Sequence, residues 1–226
     1  MGKALLEARD LSHTYETGPR ILDSIGFTLE PGDTVGIRGR SGVGKTTLLE
    51  ILGTMREPSG GEVLYGDRSV YDLPLGERAT LRGRHLGFVF QEGLLLPDLT
   101  LWENCQLAVK LAPDDWSTEE AQGRFRDLLN ELGLDPDRRD DLPSQLSTGE
   151  RQRLAVARAL MHEPNVIIAD EPTGNLDPDS SRQLLDLMLP FAERDRTAIL
   201  IASHDRQVTD SLSRVYELEE GKLKNR

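Results

Sequence analysis

The stretch Gly39-Arg40-Ser41-Gly42-Val43-Gly44-Lys45-Thr46 constrains this chain more than any other. It fits G-x-x-x-x-G-K-[ST] in full, with a β-branched run, Thr34–Arg38, before it and a helical pattern over residues 46–52 after it. Glycines let the backbone curl until successive N–H groups point at one anion, and a helix N-terminus adds its partial positive charge. Strand, turn and helix in that order predict a phosphate cradle. Lys45 is then the cation expected to reach the β- and γ-phosphates of a nucleotide, and the Thr46 hydroxyl the expected ligand of Mg²⁺. Such a cradle needs a second oxygen donor from another strand end. Val166-Ile167-Ile168-Ala169-Asp170-Glu171, an apolar run closing on two carboxylates, supplies it. Asp170 is expected to hold Mg²⁺ through water, and Glu171 to orient or deprotonate a water for attack on the γ-phosphate.

Around these two motifs the chain alternates. Residues 4–11 and 25–29 read as strands and Pro31-Gly32-Asp33 as a turn; residues 61–65 and Leu86–Phe90 are further short strands, the last ending at Gln91. From about 92 to 158 the pattern is helical. Ala121, Phe125, Leu128, Leu129 and Leu132 fall on one helix face, with Ser117 or Thr118 to cap its start and Gly133 to end it. Ser147 and Glu150 have capping-box spacing and open another helix. Residues 166–169 and 197–202 read as buried strands, 180–193 as one helix, and 215–218 with the Glu220-Gly221-Lys222 turn close the chain. The reading is an α/β fold, a parallel sheet with helices interrupted by a helical insertion.

Composition removes several function classes. A net charge of −12 with dispersed Lys and Arg opposes general binding to nucleic acid or to an anionic membrane surface. No apolar run approaches the ~18–20 residues of a membrane span. The N-terminal stretch MGKALLEARD has no apolar h-region, so no export signal is expected. Cys105 is the single cysteine; it cannot form an internal disulfide, no metal-ligand cluster accompanies it, and a reducing cytoplasm fits. It reads as a core thiol, and Trp102 and Trp116 as packing residues. His13, His85 and His162 carry no motif and read as surface or satisfied histidines.

Further motifs sharpen the reading. Leu146-Ser147-Thr148-Gly149-Glu150 with Arg151-Gln152-Arg153 resembles the signature of the ABC ATPases. Glu171-Pro172-Thr173 and Asn175-Leu176-Asp177 look like that family's strand exit and D-loop. Gln91 matches its Q-loop, His204 its switch histidine, and Tyr15 the aromatic residue that stacks on adenine, although Tyr15 also suits plain packing. The elements stand in family order over essentially the whole chain. Leu86–Phe90 with Gln91, Leu95-Leu96-Pro97-Asp98-Leu99-Thr100, and the run from Ala169 to Asp177 are similar to the branch of lipoprotein-releasing, macrolide-exporting and cell-division ATPases.

The resemblance implies an ABC ATPase fold over residues 1–226: a RecA-like parallel-sheet core, an N-terminal antiparallel β subdomain, and a helical subdomain over about 92–158. It implies an ATPase that uses ATP and Mg²⁺. Glu171, His204 and Lys45 would be catalytic. Tyr15, Gly39, Arg40, Ser41, Gly42, Val43, Gly44, Lys45, Thr46, Thr47 and Gln91 would contact ATP. Thr46, Gln91 and Asp170 would hold the metal. Two chains would sandwich two ATP molecules head to tail, so that Ser147 and the Gly149 N–H act in trans. The implied partners are a second ATPase chain and integral membrane permease subunits, with the protein peripheral on the inner face of the cell membrane. Leu94-Leu95-Leu96-Pro97, beside Gln91, either borders the permease-docking groove or fills the insertion's core. The alternative reading is a regulatory or assembly ATPase that signals through membrane partners, as in the cell-division relatives. A DNA-repair or translation role fits poorly, since there is no long coiled coil, second cassette or basic field. Thr148 departs from the family's usual glycine; its hydroxyl is expected to face solvent or the phosphate, crowding the contact and slowing the enzyme. Arg40, where a proline or small residue is common, is expected to be harmless.

Overall fold

Short strands with both faces covered organise the structure, a computed structural model that describes residues 4–16, 18–112 and 114–226. Residues 1–3, the beginning of the stretch read for an export signal, lie outside the described residues. In chain order, β1 (Leu6–Thr14), β2 (Arg20–Leu29) and β3 (Thr34–Arg38) lead to α1 (Lys45–Leu52). Next come β4 (Gly60–Tyr65), β5 (Arg68–Ser69), α2 (Leu75–His85) and β6 (Leu86–Phe90). Helices α3 (Leu101–Leu111), α4 (Thr118–Glu131) and α5 (Thr148–Leu160) form the insertion. The chain closes with β7 (Val166–Asp170), α6 (Pro178–Met188), α7 (Pro190–Asp195), β8 (Ala198–Ser203), α8 (Arg206–Asp210), β9 (Arg214–Glu219) and β10 (Lys222–Asn225).

Two sheets result. One is antiparallel with strand order β2-β1-β4-β5; the other has order β10-β9-β3-β8-β7-β6, parallel except for β10. The period of two in the strands divides the interior. On β7 and β8, Ile167, Ala169, Ile199 and Ile201 face the helices of the insertion and α6. Val166, Ile168, Ala198, Leu200 and Ala202 face α1 and the antiparallel sheet. All six residues of β8 are buried, which is why it reads as a continuous apolar run.

The register sets the site. Phe90 pairs with Asp170, Asp170 with Ala202, and Ala202 with Ile37, so β6, β7, β8 and β3 all end on or one residue past one transverse line. The residues just past that line, Gln91, Glu171, His204 and Gly39, are therefore delivered to one rim, the carboxyl edge where open α/β sheets bind ligands.

The insertion packs through Trp102 edge-on to Phe125 and through Leu128, Leu129 and Leu132. Ser117 caps α4 in a capping box with Glu120, and Gly133 ends it at a φ of +66°. Cys105 is fully buried, and burial pushes its thiol up to about 12, in keeping with a core thiol. From α5, Gln152 donates to Phe90 O (2.9 Å), and the half-buried Arg158 guanidinium donates to both Gly93 O and Leu94 O (2.7 Å each). Of the three unassigned histidines, His85 bonds Asn165 and His162 lies against Leu86 O. His13 is buried, its Nε2 without a partner among the described residues.

Several expected elements differ. The strand expected over 4–11 runs from Leu6 to Thr14. Residues 180–193 form two helices, because Pro190 has no N–H to continue the ladder and opens α7 instead. The helical stretch 92–158 is interrupted: residues 93–100 have no α-helical turns and are tied down by buried Asn104, whose amide donates to Leu96 O, Leu99 O and Thr100 O. Helix α2 has no counterpart in the sequence pattern.

Candidate active site

A cavity of about 920 Å³ opens on the rim defined above, lined by Gly39–Gly42 and Gly44–Thr46 of the loop, Tyr15, Thr47, Gln91, Asp170, Glu171 and His204, while Val43 turns away to pack on the core. Its floor is the start of α1. Gly44 has a φ of +111°, and a Cβ there would stand 2.6 Å from Ile21 Cγ2, so only glycine fits. Gly39 is equally confined, by Val43 and by Leu218 O. No side chain caps α1 and no acidic residue stands in its first turn, which leaves its N-terminal N–H groups and positive end facing the cavity.

Lys45 is only 6% exposed. Its ammonium folds back, donating to Gly39 O (2.8 Å) and Arg40 O (3.3 Å), and pairs with Glu171 Oε1 at 3.2 Å. Thr46 donates its hydroxyl to Asp170 Oδ2 at 2.7 Å. The other oxygen, Asp170 Oδ1, is buried with no partner among the described residues, and burial pushes this carboxyl above its usual range. A hydroxyl and an under-satisfied carboxylate are hard-oxygen donors that suit Mg²⁺, which takes few protein ligands and completes its shell with phosphate oxygens and water. No cluster of three or more His, Cys, Asp or Glu side chains suited to a metal occurs among the described residues.

Glu171 leaves β7 at a φ of +47°, a left-handed conformation that costs a non-glycine residue roughly 1–2 kcal/mol. Backbone bonds hold it there, Glu171 N–H to Ala202 O at 2.9 Å and Gly174 N–H to Glu171 O at 3.0 Å. The carboxylate accepts from Ser203 Oγ (3.2 Å) and from the His204 N–H (3.1 Å), and it meets His204 Nδ1 at 2.9 Å. Burial pushes Glu171 up, but the hydrogen bonds from His204 and Lys45 outweigh it and hold the group below its ordinary value.

At the edges of the cavity, Gln91 donates to Asn175 Oδ1 and Asn175 to Gln91 O, both as long contacts. The Tyr15 and Thr47 hydroxyls share a hydrogen bond of 2.9 Å. Ser147 and Gly149 do not line the cavity. Ser147 caps α5 in a capping box, donating its N–H to Glu150 Oε2 (2.8 Å) and accepting from the Glu150 N–H. Thr148 is exposed, and its hydroxyl accepts from Arg151 Nη2 at 3.0 Å within its own helix. Sequence reasoning passed over Ser203, Arg206 and Glu217. The first is signalled only by its place before His204, and the other two stand on α8 and β9, outside any motif.

A phosphate cradle at the end of β3, beside a carboxylate pair at the end of β7, is the arrangement of a P-loop nucleoside triphosphatase. Residues 22–174 match the ABC transporter family. The chain is 42% identical over 226 residues to the lipoprotein-releasing system ATP-binding protein LolD of Xanthomonas campestris, covering 99% of this chain and 93% of that one. It is 42% identical over 224 residues to LolD of Pseudomonas fluorescens, covering 98% and 97%. Its fold matches the dimeric structure of MJ0796, a bacterial ABC transporter cassette, with a TM-score of 0.88 and 32% identity over 97% and 96% of the two chains. A post-hydrolysis dimer of MJ0796 bound to ADP and Pi also matches, with a TM-score of 0.88 and 31% identity over 98% and 97%. This chain belongs to the ABC transporter ATP-binding cassettes, an ATP-binding ATPase family.

Proposed function

We propose that this chain is the ATP-hydrolysing subunit of a lipoprotein-releasing complex, working as one nucleotide-binding unit over residues 1–226 with a helical subdomain over about 92–158. The observation that carries the mechanism is the adjacency of two pairs, Thr46–Asp170 at 2.7 Å and Lys45–Glu171 at 3.2 Å.

The N–H groups of Gly39–Thr46 and the start of α1 bind the phosphates, and Tyr15 stacks on the adenine. Thr46, Asp170 and Gln91 would hold Mg²⁺, which would supply positive charge against the phosphates. Lys45 turns from Gly39 O and Glu171 to the phosphates, and this frees Glu171 Oε1 to take a proton from the attacking water. His204 and Ser203 keep the carboxylate aimed. Ser147 and the Gly149 N–H of a second copy complete each site in trans, so ATP holds a homodimer together.

Membrane permease subunits dock in an apolar groove of about 650 Å³ near Gln91, whose walls include Phe88, Leu94, Leu96 and Leu111. Leu94, Leu96 and Leu111 are exposed, and Leu95 packs on the insertion's core. Leu94 and Leu96 line this groove, and Leu95 does not. No helix among the described residues is long and apolar enough to cross a membrane, so attachment through permeases, on the inner face, is the proposed location.

The test is Glu171→Gln. Turnover falls by ~10²–10⁴ while ATP binding persists, and light scattering reports an ATP-trapped dimer. Near-normal hydrolysis removes Glu171 as the base, and a monomer at saturating ATP removes the sandwich.

A further inference from the structure

Tyr15 is 40% exposed on the cavity wall, just past the end of β1. A ring so placed is ordinarily free to swing. Here its hydroxyl is tied to Thr47, and His13 sets its own ring edge-on to it, with centroids 4.9 Å apart and planes at 90°. The Arg56 guanidinium lies over the Tyr15 ring, 5.1 Å from its centroid. Arg56 is aimed by Glu50, whose Oε2 accepts from Arg56 Nε at 2.6 Å, and its carbonyl is pinned by the Tyr71 hydroxyl. Tyr15 and Thr47 line the cavity; His13 and Arg56 do not.

A cation over an aromatic face is attracted by the ring quadrupole and draws π density toward itself. The rest of the ring becomes electron-poorer, which favours stacking on an electron-rich heteroaromatic such as a purine. The chain from Glu50 through Arg56 to Tyr15 therefore both fixes and polarises the phenol ring offered to the cavity.

We infer that Arg56 is a positioning residue for the nucleobase: it governs base affinity through Tyr15 without touching the nucleotide. The inference rests on the reading of Tyr15 as the adenine platform.

Titrating the purified chain with ADP and, separately, with inorganic pyrophosphate separates base from phosphate recognition. Tyr15→Ala weakens ADP binding most. Arg56→Gln weakens it roughly two- to tenfold, leaves pyrophosphate binding unchanged, and Arg56→Lys restores part of the loss. Unchanged pyrophosphate affinity also reports that the loop and α1 are folded. If Arg56→Gln weakens both ligands equally, Arg56 supports α1 alone and the inference is overturned. If Tyr15→Ala weakens ADP selectively and Arg56→Gln does not, the inference falls while the platform stands. If Tyr15→Ala leaves ADP unaffected, the platform reading itself fails.

Discussion

Helices α1 and α5 both carry a glycine at or near their N-terminus, Gly44 just before α1 and Gly149 in the first turn of α5, yet their first turns are built in opposite ways. The start of α1 has no side-chain cap and no acidic residue, and it sits at a strand end with Asp170 and Glu171 around it. The start of α5 is closed by the Ser147–Glu150 capping box, with Glu150 itself in the first turn and paired with Arg138 at 3.0 Å. An uncapped helix leaves its N–H groups for an anion; a capped one has already spent some of them and placed a negative charge beside the rest. The difference implies an order of events. In the proposed sandwich, phosphate would be held by α1 within one chain before α5 of a second chain approaches that charge.

The strongest way to break this comparison is at α1. Lys45→Ala removes the cation that folds over the loop, and ATP binding is expected to fall by more than ~10²-fold, measured by titration with a fluorescent nucleotide. If affinity falls only slightly, the free N–H groups suffice and the lysine serves another step. At α5 the expected effect on binding by the single chain is nil. Ser147→Ala removes a cap, lowering stability by ~1 kcal/mol in urea unfolding, and it weakens ATP-driven dimerisation seen by light scattering. Should monomer ATP affinity also drop, α5 is not confined to the trans role.

Away from both helix starts, burial holds His85 and His162 below their ordinary values. The unfolded chain then binds more protons than the folded one below about pH 6.5, so stability is present above that pH and is lost as pH falls through it. Melting temperatures at pH 7.5 and 5.5 should show the drop, and His162→Gln should shrink it; an unchanged pH slope in the variant would remove His162 as a source. The smallest effect is expected at Thr148. Its hydroxyl is held by Arg151, and in Thr148→Gly the lost bond and the added helix-start entropy oppose the relief of crowding. ATPase activity should stay within about threefold of the parent. A larger loss would make the threonine a phosphate contact.

The site was legible where its residues are neighbours in sequence. Gly39–Thr46, Asp170-Glu171 and the Ser147–Glu150 box are local patterns whose chemistry requires that spacing. Strands β7 and β8 were legible because burial on both faces leaves an unbroken apolar run. Helix α2 was not, since only Arg78 and Leu81 are buried on it and no apolar stripe results. Nor could spacing have shown Arg56 over Tyr15, or Asn104 organising residues 96–100, because each contact depends on how separate elements meet.

The two hydrogen bonds from Arg158 to Gly93 O and Leu94 O fasten the far end of α5 to the rim of the apolar groove. The helix is 13 residues long, a stiff rod of about 20 Å with Ser147 at its opposite tip. A tilt of about 10° imposed at the rim would sweep that tip through some 3–4 Å, about the full length of a hydrogen bond. In the proposed complex, small angular play at one end would become contact or no contact at the other, so the stiffness of α5 would set the gain of the coupling.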